Sequence, residues 1–282
     1  MAFELLDSLS LPADPTRANE DAFAVERSDA VVLDGATGLG EMLLPGPSDA
    51  AWIAHFGARR LMAHRQGGDS PKDALRHALT DAEKSFIGLR RRPPKEKYEI
   101  PLASMMFVSA EEDGFAALWF GDCAALVLRP GEGVESVGEA FAKRASEARR
   151  VKLLAEANGL APAGGVTRAE VLPHLRASRN KANTRQGGWL FSPDPRAAGH
   201  AGSRRVTAKT GTLVLLATDG FLALASDYGA YDAQGLVEAA RDKGLKTLGE
   251  ELRALEDADA EGRRFPRLKK SDDATSVLLR LS

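Results

Sequence analysis

The stretch Val31-Val32-Leu33-Asp34-Gly35-Ala36-Thr37-Gly38 is a short apolar run that carries a carboxylate into a glycine-rich turn. The device returns at Leu213-Val214-Leu215-Leu216-Ala217-Thr218-Asp219-Gly220, where an apolar run long enough for a buried strand again ends in Asp-Gly. Two buried strands that end in carboxylates point to one shared site. Asp-Gly after a strand most often marks a tight turn and nothing more. The weight therefore rests on the companions: Asn19-Glu20-Asp21, Gly121-Asp122 at another strand end, and Asp272-Asp273-Ala274-Thr275 before a final strand.

Outward from these stretches, 282 residues with 44% hydrophobic and 28% charged side chains give an ordinary globular composition with enough apolar material for a sizeable core. A formal charge of −2, from 38 basic and 40 acidic residues, provides no polyelectrolyte attraction to nucleic acid or to a membrane surface. No run approaches the ~18 apolar residues of a membrane-spanning helix. The single cysteine, Cys123, excludes an intrachain disulfide and reads as a small apolar core residue. The start Met1 to Ser8 lacks the basic and apolar regions of a signal peptide, so the expected location is cytoplasmic. No internal repeat or low-complexity linker is visible, and because the candidate acids run from residue 20 to residue 273 and one site needs both ends in one fold, residues 1–282 are expected to form a single domain; the chain is expected to be a monomer.

The periodicities place the remaining elements. Ala22 to Val25 reads as a strand paired with Ala30 to Leu33. After the break Pro45-Gly46-Pro47, Ser48 opens a helix with Trp52, Ile53, Phe56 and Leu61 on its apolar face, stopped by Gly67-Gly68. Ser70 and Pro71 start a second helix with an apolar stripe of Leu75, Ala78, Leu79, Ala82 and Phe86. The basic run Arg90 to Lys97 reads as a solvated helix end and loop, with contact to an acidic or phosphorylated partner as the alternative. Leu102 to Ser109 with Phe115 to Phe120 forms a hairpin, and Ala124 to Leu128 adds a strand. Helices are expected from Gly138 to Asn158, from a capping box at Thr167 and Glu170 to about Ala177, and near 233–243 and 245–261; Ser276 to Leu281 is the last strand. Residues 178–211 read as irregular surface with a short strand at Trp189 to Phe191, and residues 3–9 show no clear pattern. This order is no regular βαβ alternation and fits an α+β antiparallel sandwich flanked by helices.

Gathered carboxylates repel one another unless a cation neutralises them. None of His55, His64, His77, His174 and His200 lies beside an acidic motif, and oxygen-only ligands favour Mg²⁺ or Mn²⁺ over Zn²⁺. A carboxylate that bridges two such ions ~3.5–4 Å apart holds and acidifies a water for in-line attack on a phosphoryl group, which implies phosphate ester hydrolysis without a covalent enzyme intermediate.

The ordered set Asn19-Glu20-Asp21, Asp34-Gly35 with Gly38, Gly121-Asp122, Thr218-Asp219-Gly220 and Asp272-Asp273-Ala274-Thr275 resembles the metal-dependent serine/threonine protein phosphatases of type 2C, in order and spacing, over residues 17–281. The resemblance implies a four-layer α/β/β/α sandwich and hydrolysis of phosphoserine and phosphothreonine in a phosphorylated protein substrate. It implies that Asp34 bridges two Mn²⁺ or Mg²⁺ ions, with the Gly35 carbonyl on the second and Asp219 and Asp272 on the first. Glu20 and Asp21 match acids that hold metal-bound waters. Asp122 matches the residue that, with Asp219, holds a third ion in bacterial members. Arg17 is the matching phosphate-gripping arginine, by bidentate hydrogen bonding, although it stands four residues before Asp21 where the family usually has five. Ala36 occupies the place of the histidine proposed as general acid in animal members, which hands protonation of the leaving alcohol to a metal-bound water. Asp273 replaces the family's usual Asn, with Lys269 and Lys270 near enough in sequence to screen it, and only residues 178–211 offer a counterpart to the family's flap. Two alternatives stay open: a non-catalytic relative that binds phosphoproteins, and a hydrolase of small phosphate esters.

Overall fold

Strand alternation decides the layers. In the strand Asp29–Gly35 (β3), Val31 and Leu33 pack on one side of the sheet while Ala30 and Val32 pack on the other. In Leu213–Ala217 (β9), Leu213, Leu215 and Ala217 face one way and Val214 and Leu216 the other. Successive side chains point to opposite faces, so a run that is apolar at every position needs cover on both faces. Helices supply it on one face and a second sheet on the other, and the result is a four-layer α/β/β/α sandwich.

The computed structural model describes residues 1–140, 168–265, 267 and 269–282. Strands Phe3–Leu11 (β1), Asp21–Val25 (β2), β3, Ala103–Glu111 (β4), Gly114–Phe120 (β5), Ala124–Leu128 (β6), Val134–Val137 (β7), Gly202–Thr207 (β8), β9 and Ala274–Leu281 (β10) make two antiparallel five-stranded sheets. Their orders are β1-β10-β9-β6-β7 and β2-β3-β4-β5-β8. Met106, Val108, Phe115, Val214, Leu216, Val277 and the buried thiol of Cys123 fill the space between them. Helices Asp49–Gln66 (α1) and Pro71–Leu89 (α2) cover the second sheet, with Ile53, Leu61, Leu75, Ala78, Leu79 and Ala82 in that core. Arg168–Arg179 (α3) follows in the chain, and Asp219–Ser226 (α4), Ala233–Lys243 (α5) and Leu245–Ala258 (α6) cover the first sheet. No helix among the described residues is long and apolar enough to cross a membrane.

The helix starts read from sequence hold: Ser48 accepts from the amides of Ala50 and Ala51, and Ser70 accepts from Asp73 ahead of Pro71. Four expectations need correction. Residues 3–9, patternless in sequence, belong to β1, where a register shift between Leu5 and Asp7 breaks the alternation. The run through Asp219-Gly220 continues as helix α4, because an apolar segment that packs as strand and then as helix keeps no distinguishing period. Trp189 to Phe191 contributes only a single bridge, Ala103 to Phe191, and the strand of that region is β8. Arg92 is not left to solvent: it pairs with Glu99 at 2.9 Å and with Glu41 at 2.9 Å. The expected helix at 138–158 and the Thr167 cap lie outside the described residues, apart from the first three positions of the former.

Candidate metal centre

Antiparallel register builds the first half of the site. Asp21 of β2 pairs with Asp34 of β3, and Asp34 pairs with Ser104 of β4, so the three lie in one row across the sheet on a common face. Ser104 donates to Asp122 Oδ1 at 2.5 Å, which ties the turn between β5 and β6 to the same row. That turn needs Gly121: its φ is +71°, and a Cβ there would lie 2.1 Å from Ser104 Oγ.

The second half comes from the other sheet. Thr218, at the end of β9, accepts from the Thr275 amide at 3.0 Å and donates to Asp21 Oδ2 at 2.8 Å, a hydrogen bond that joins the sheets at their ends. Asp219 then opens α4, while Asp272 precedes β10 beside it. Gly35 fits where no side chain can: a Cβ would stand 2.5 Å from the carbonyl oxygens of both Ala50 and Glu20. Its amide donates to Glu20 O at 2.9 Å.

Electrostatics record how closely the acids gather. Burial first, then the charges of Asp219, Asp21, Asp122 and Asp272, pushes the Asp34 carboxyl well above the usual range. Asp21, 1% exposed, is raised by burial and by Asp272, Asp273 and Asp219 against the opposing hydrogen bond from Thr218. Asp272 is pushed up to about 6 by burial and by Asp219, with Lys269 pulling the other way. Lys269 pairs with Asp272, and the acids hold its ammonium above its ordinary value although partial burial opposes the charge. Asp21 Oδ1 is buried with no hydrogen-bond partner. An orphaned carboxylate oxygen inside a nest of like charges is costly unless a cation meets it. The donor set is all oxygen, which suits Mg²⁺ or Mn²⁺. In contrast, burial pushes the Cys123 thiol up, which agrees with a core role for it.

Glu20 and Arg17 sit at the rim. Glu20 accepts at 2.5 Å from both Thr37 and Ser48 hydroxyls. It lines a cleft of about 850 Å³ together with Arg17, Thr37, Glu99, Arg176 and Arg179. The Arg17 side chain is 79% exposed and only 4.0 Å from Asp14. Arg176 and Arg179 of α3 escape any sequence signal, because nothing in their spacing links them to the acid motifs. Arg179 donates to Thr37 O at 2.7 Å and Arg176 to Leu39 O at 2.8 Å, so α3 grips the turn that follows Asp34-Gly35. Part of the expected flap region, which begins at 178, thus touches the site through Arg179.

Asp273 has a different task from its neighbour. Its two oxygens accept from the amides of Ala13 and Glu20, each at 2.6 Å, so it ties the loop before β2 to the start of β10. Lys270 pairs with Asp257 and leaves Asp273 to these amides. An asparagine there offers one acceptor and turns an NH₂ toward the other donor. Asp273→Asn is expected to lower stability by about 1–2 kcal/mol, read from denaturant unfolding with unchanged slope.

Comparison with solved structures identifies the fold. The serine/threonine phosphatase PstP/Ppp of Mycobacterium tuberculosis matches over 100% of both chains with a TM-score of 0.59 and 15% identity. The PPM Ser-Thr phosphatase MsPP of Mycobacterium smegmatis, solved with cacodylate, matches over 99% of this chain and 100% of its own with a TM-score of 0.58 and 16% identity. A catalytic domain of PstP in complex with two manganese ions matches over 99% and 98% with a TM-score of 0.53 and 16% identity. No protein-family profile and no curated protein sequence matches the chain.

Proposed function

We propose, from a fold shared with PPM-family Ser/Thr phosphatases and an acid cluster in place at its strand ends, that this chain is a metal-dependent phosphatase of phosphoserine and phosphothreonine in proteins. The observation that carries the reading is Asp21 Oδ1, a buried carboxylate oxygen without a partner, in the row shared with Asp34. Asp34, Asp219 and Asp272, with the Gly35 carbonyl, would hold two Mn²⁺ or Mg²⁺ ions. Asp122 with Asp219 would hold a third, and Asp21 and Glu20 would hold coordinated water. When bound, the ions supply Lewis acidity and an acidified water for attack on phosphorus.

The chain's own residues do the rest. Register fixes Asp21 opposite Asp34, and Thr218 fixes Asp21 to the other sheet. Thr37 and Ser48 hold Glu20 in its orientation. Arg17 can swing toward a phosphoryl group because its side chain is exposed and its ion pair with Asp14 is long. Ala36 offers no proton to the leaving alcohol, so the acid chemistry for that group would have to be supplied by the ions, whose water Asp21 and Glu20 would hold. Arg179 positions the 36–37 turn through its carbonyls. Arg179→Ala is expected to lower kcat/KM by about 10²-fold with the fold intact, since small displacements of reacting groups carry costs of that order. Steady-state kinetics beside a melting curve check this.

The deciding experiment measures phosphate release from a phosphothreonine peptide and from an aryl phosphate, with Mn²⁺ and with chelator. Release from the peptide that needs metal supports the proposal. Turnover that survives chelator removes it, and a preference for the aryl ester over the peptide favours a small-ester hydrolase instead.

A further inference from the structure

The geometry points to a second metal site, of transition-metal type, built from His64, Asp69 and His77 at the junction of α1 and α2. One ligand atom from each of the three lies within 4.8 Å of the others. His64 stands in the last turn of α1; Gly68, at φ +92°, then reverses the chain so that the Asp69 amide donates back to His64 O at 3.1 Å. His77 comes from the facing side of α2, its ring centroid 5.3 Å from that of His64. His64 Nδ1 is 3.3 Å from Asp69 Oδ2, and His77 Nδ1 is 2.6 Å from the same oxygen.

The hydrogen bond on the far side of His64 singles out this arrangement. Its Nε2 is 2.9 Å from Asp81 Oδ2, an oxygen that Arg60 Nε also grips at 2.8 Å. Asp81 Oδ2 already accepts from Arg60 Nε, and the His64 ring turns its Nε2 to the same oxygen. The Arg60 contact to Nε2 itself, 3.5 Å, is too long to compete. With Nε2 turned to Asp81, Nδ1 faces Asp69 Oδ2, where its lone pair and the carboxylate can meet one cation. A carboxylate that orients a ligating imidazole from behind is the usual support of a zinc-bound histidine.

The separations fit such an ion. Ligands ~2.0–2.2 Å from a tetrahedral Zn²⁺ lie about 3.4 Å apart, close to the His64–Asp69 distance. The shorter His77 contact opens by less than about 1 Å when its proton gives way to the metal. Side-chain exposures of 22%, 29% and 46% leave a fourth position to solvent. Two imidazoles and one carboxylate select Zn²⁺ over Mg²⁺, the reverse of the all-oxygen centre. His64 lies 14 positions along α1 from Ala50, whose carbonyl abuts Gly35, which is about 20 Å at 1.5 Å per residue. The ion would clamp two helices and take no part in hydrolysis.

The test is calorimetric titration of the full chain with Zn²⁺ in excess Mg²⁺, which keeps the all-oxygen centre filled. One Zn²⁺ per chain is expected, with binding weakened at least about tenfold in His64→Gln and in His77→Gln. Asp34→Asn should bind the same Zn²⁺ unchanged. Saturating Zn²⁺ should raise the Tm of the parent by roughly 5 °C and leave that of His77→Gln unmoved. Because His77 is half exposed at the helix surface, His77→Gln should keep the parent's Mg²⁺-supported turnover. Zn²⁺ binding equal to the parent's in both histidine variants, loss of the event in Asp34→Asn, or no Zn²⁺ uptake in excess Mg²⁺ would each overturn the site.

Discussion

Asp34→Asn is expected to lower Mn²⁺-dependent phosphate release by at least about 10³-fold and, in chelator, to melt at a higher temperature than the parent. Both effects come from one feature. Asp34 stands among Asp21, Asp122, Asp219 and Asp272, where burial and repulsion disfavour its charged form. Asparagine keeps the shape and removes the charge, so the metal-free chain gains what the metal-bound chain loses. The pH dependence has a definite sign. A carboxyl whose folded-state pKa lies above its unfolded value gives full stability below the unfolded value, ordinarily 3.8, and loses it as pH rises through the folded one. The advantage of Asp34→Asn in chelator should therefore be absent near pH 3.8 and grow toward pH 8. Mn²⁺ should reverse the order by stabilising the parent alone. Melting curves in chelator and in Mn²⁺, beside phosphate release, check all of this. A variant that melts lower in chelator, or that keeps activity within tenfold, contradicts the metal-centre reading.

Gly220→Ala should be strongly damaging for a single added methyl. Its Cβ would stand 2.0 Å from the Asp273 carbonyl oxygen and 3.2 Å from Asp272 Cβ. The nearest obstacle is backbone, which cannot rotate away, so α4 and the segment before β10 must part, taking Asp219 from Asp272. A loss of about 3 kcal/mol or more follows, a fall in Tm of roughly 6–12 °C, with phosphate release lost along with the geometry. Gly38→Ala is the matched control. No atom lies within 4 Å of its added Cβ, and it should melt with the parent.

Legibility in the sequence followed burial. Strands β3 and β9, covered on both faces, appear as unbroken apolar runs, and α1 and α2 show clean stripes with capping serines. Elements that obey no single period were illegible: β1 with its register shift, the exposed edge strand Gly-Ser-Arg-Arg-Val-Thr of β8, and α4. Among site residues, acids beside glycines at strand ends stood out. Arg176, Arg179 and Ser104 did not, and Thr218 stood in a motif without showing its role, because each acts through a hydrogen bond to a residue remote in sequence. The two aspartates 272 and 273, adjacent and chemically identical, look alike in sequence; only their surroundings separate one beside Lys269 and the acids from one spent on two amides.

By itself the sequence determined which chain segments must be buried and that a carboxylate ends two of them, because side-chain chemistry and a period of two are local properties. Tertiary structure alone decided that Asp21 lies opposite Asp34, that Thr218 bridges the sheets, and that His64 meets Asp69 and His77 across a helix pair. The reason is physical: register and helix packing are set by the whole core closing at once, and a distance between side chains far apart in the chain exists only after it has closed.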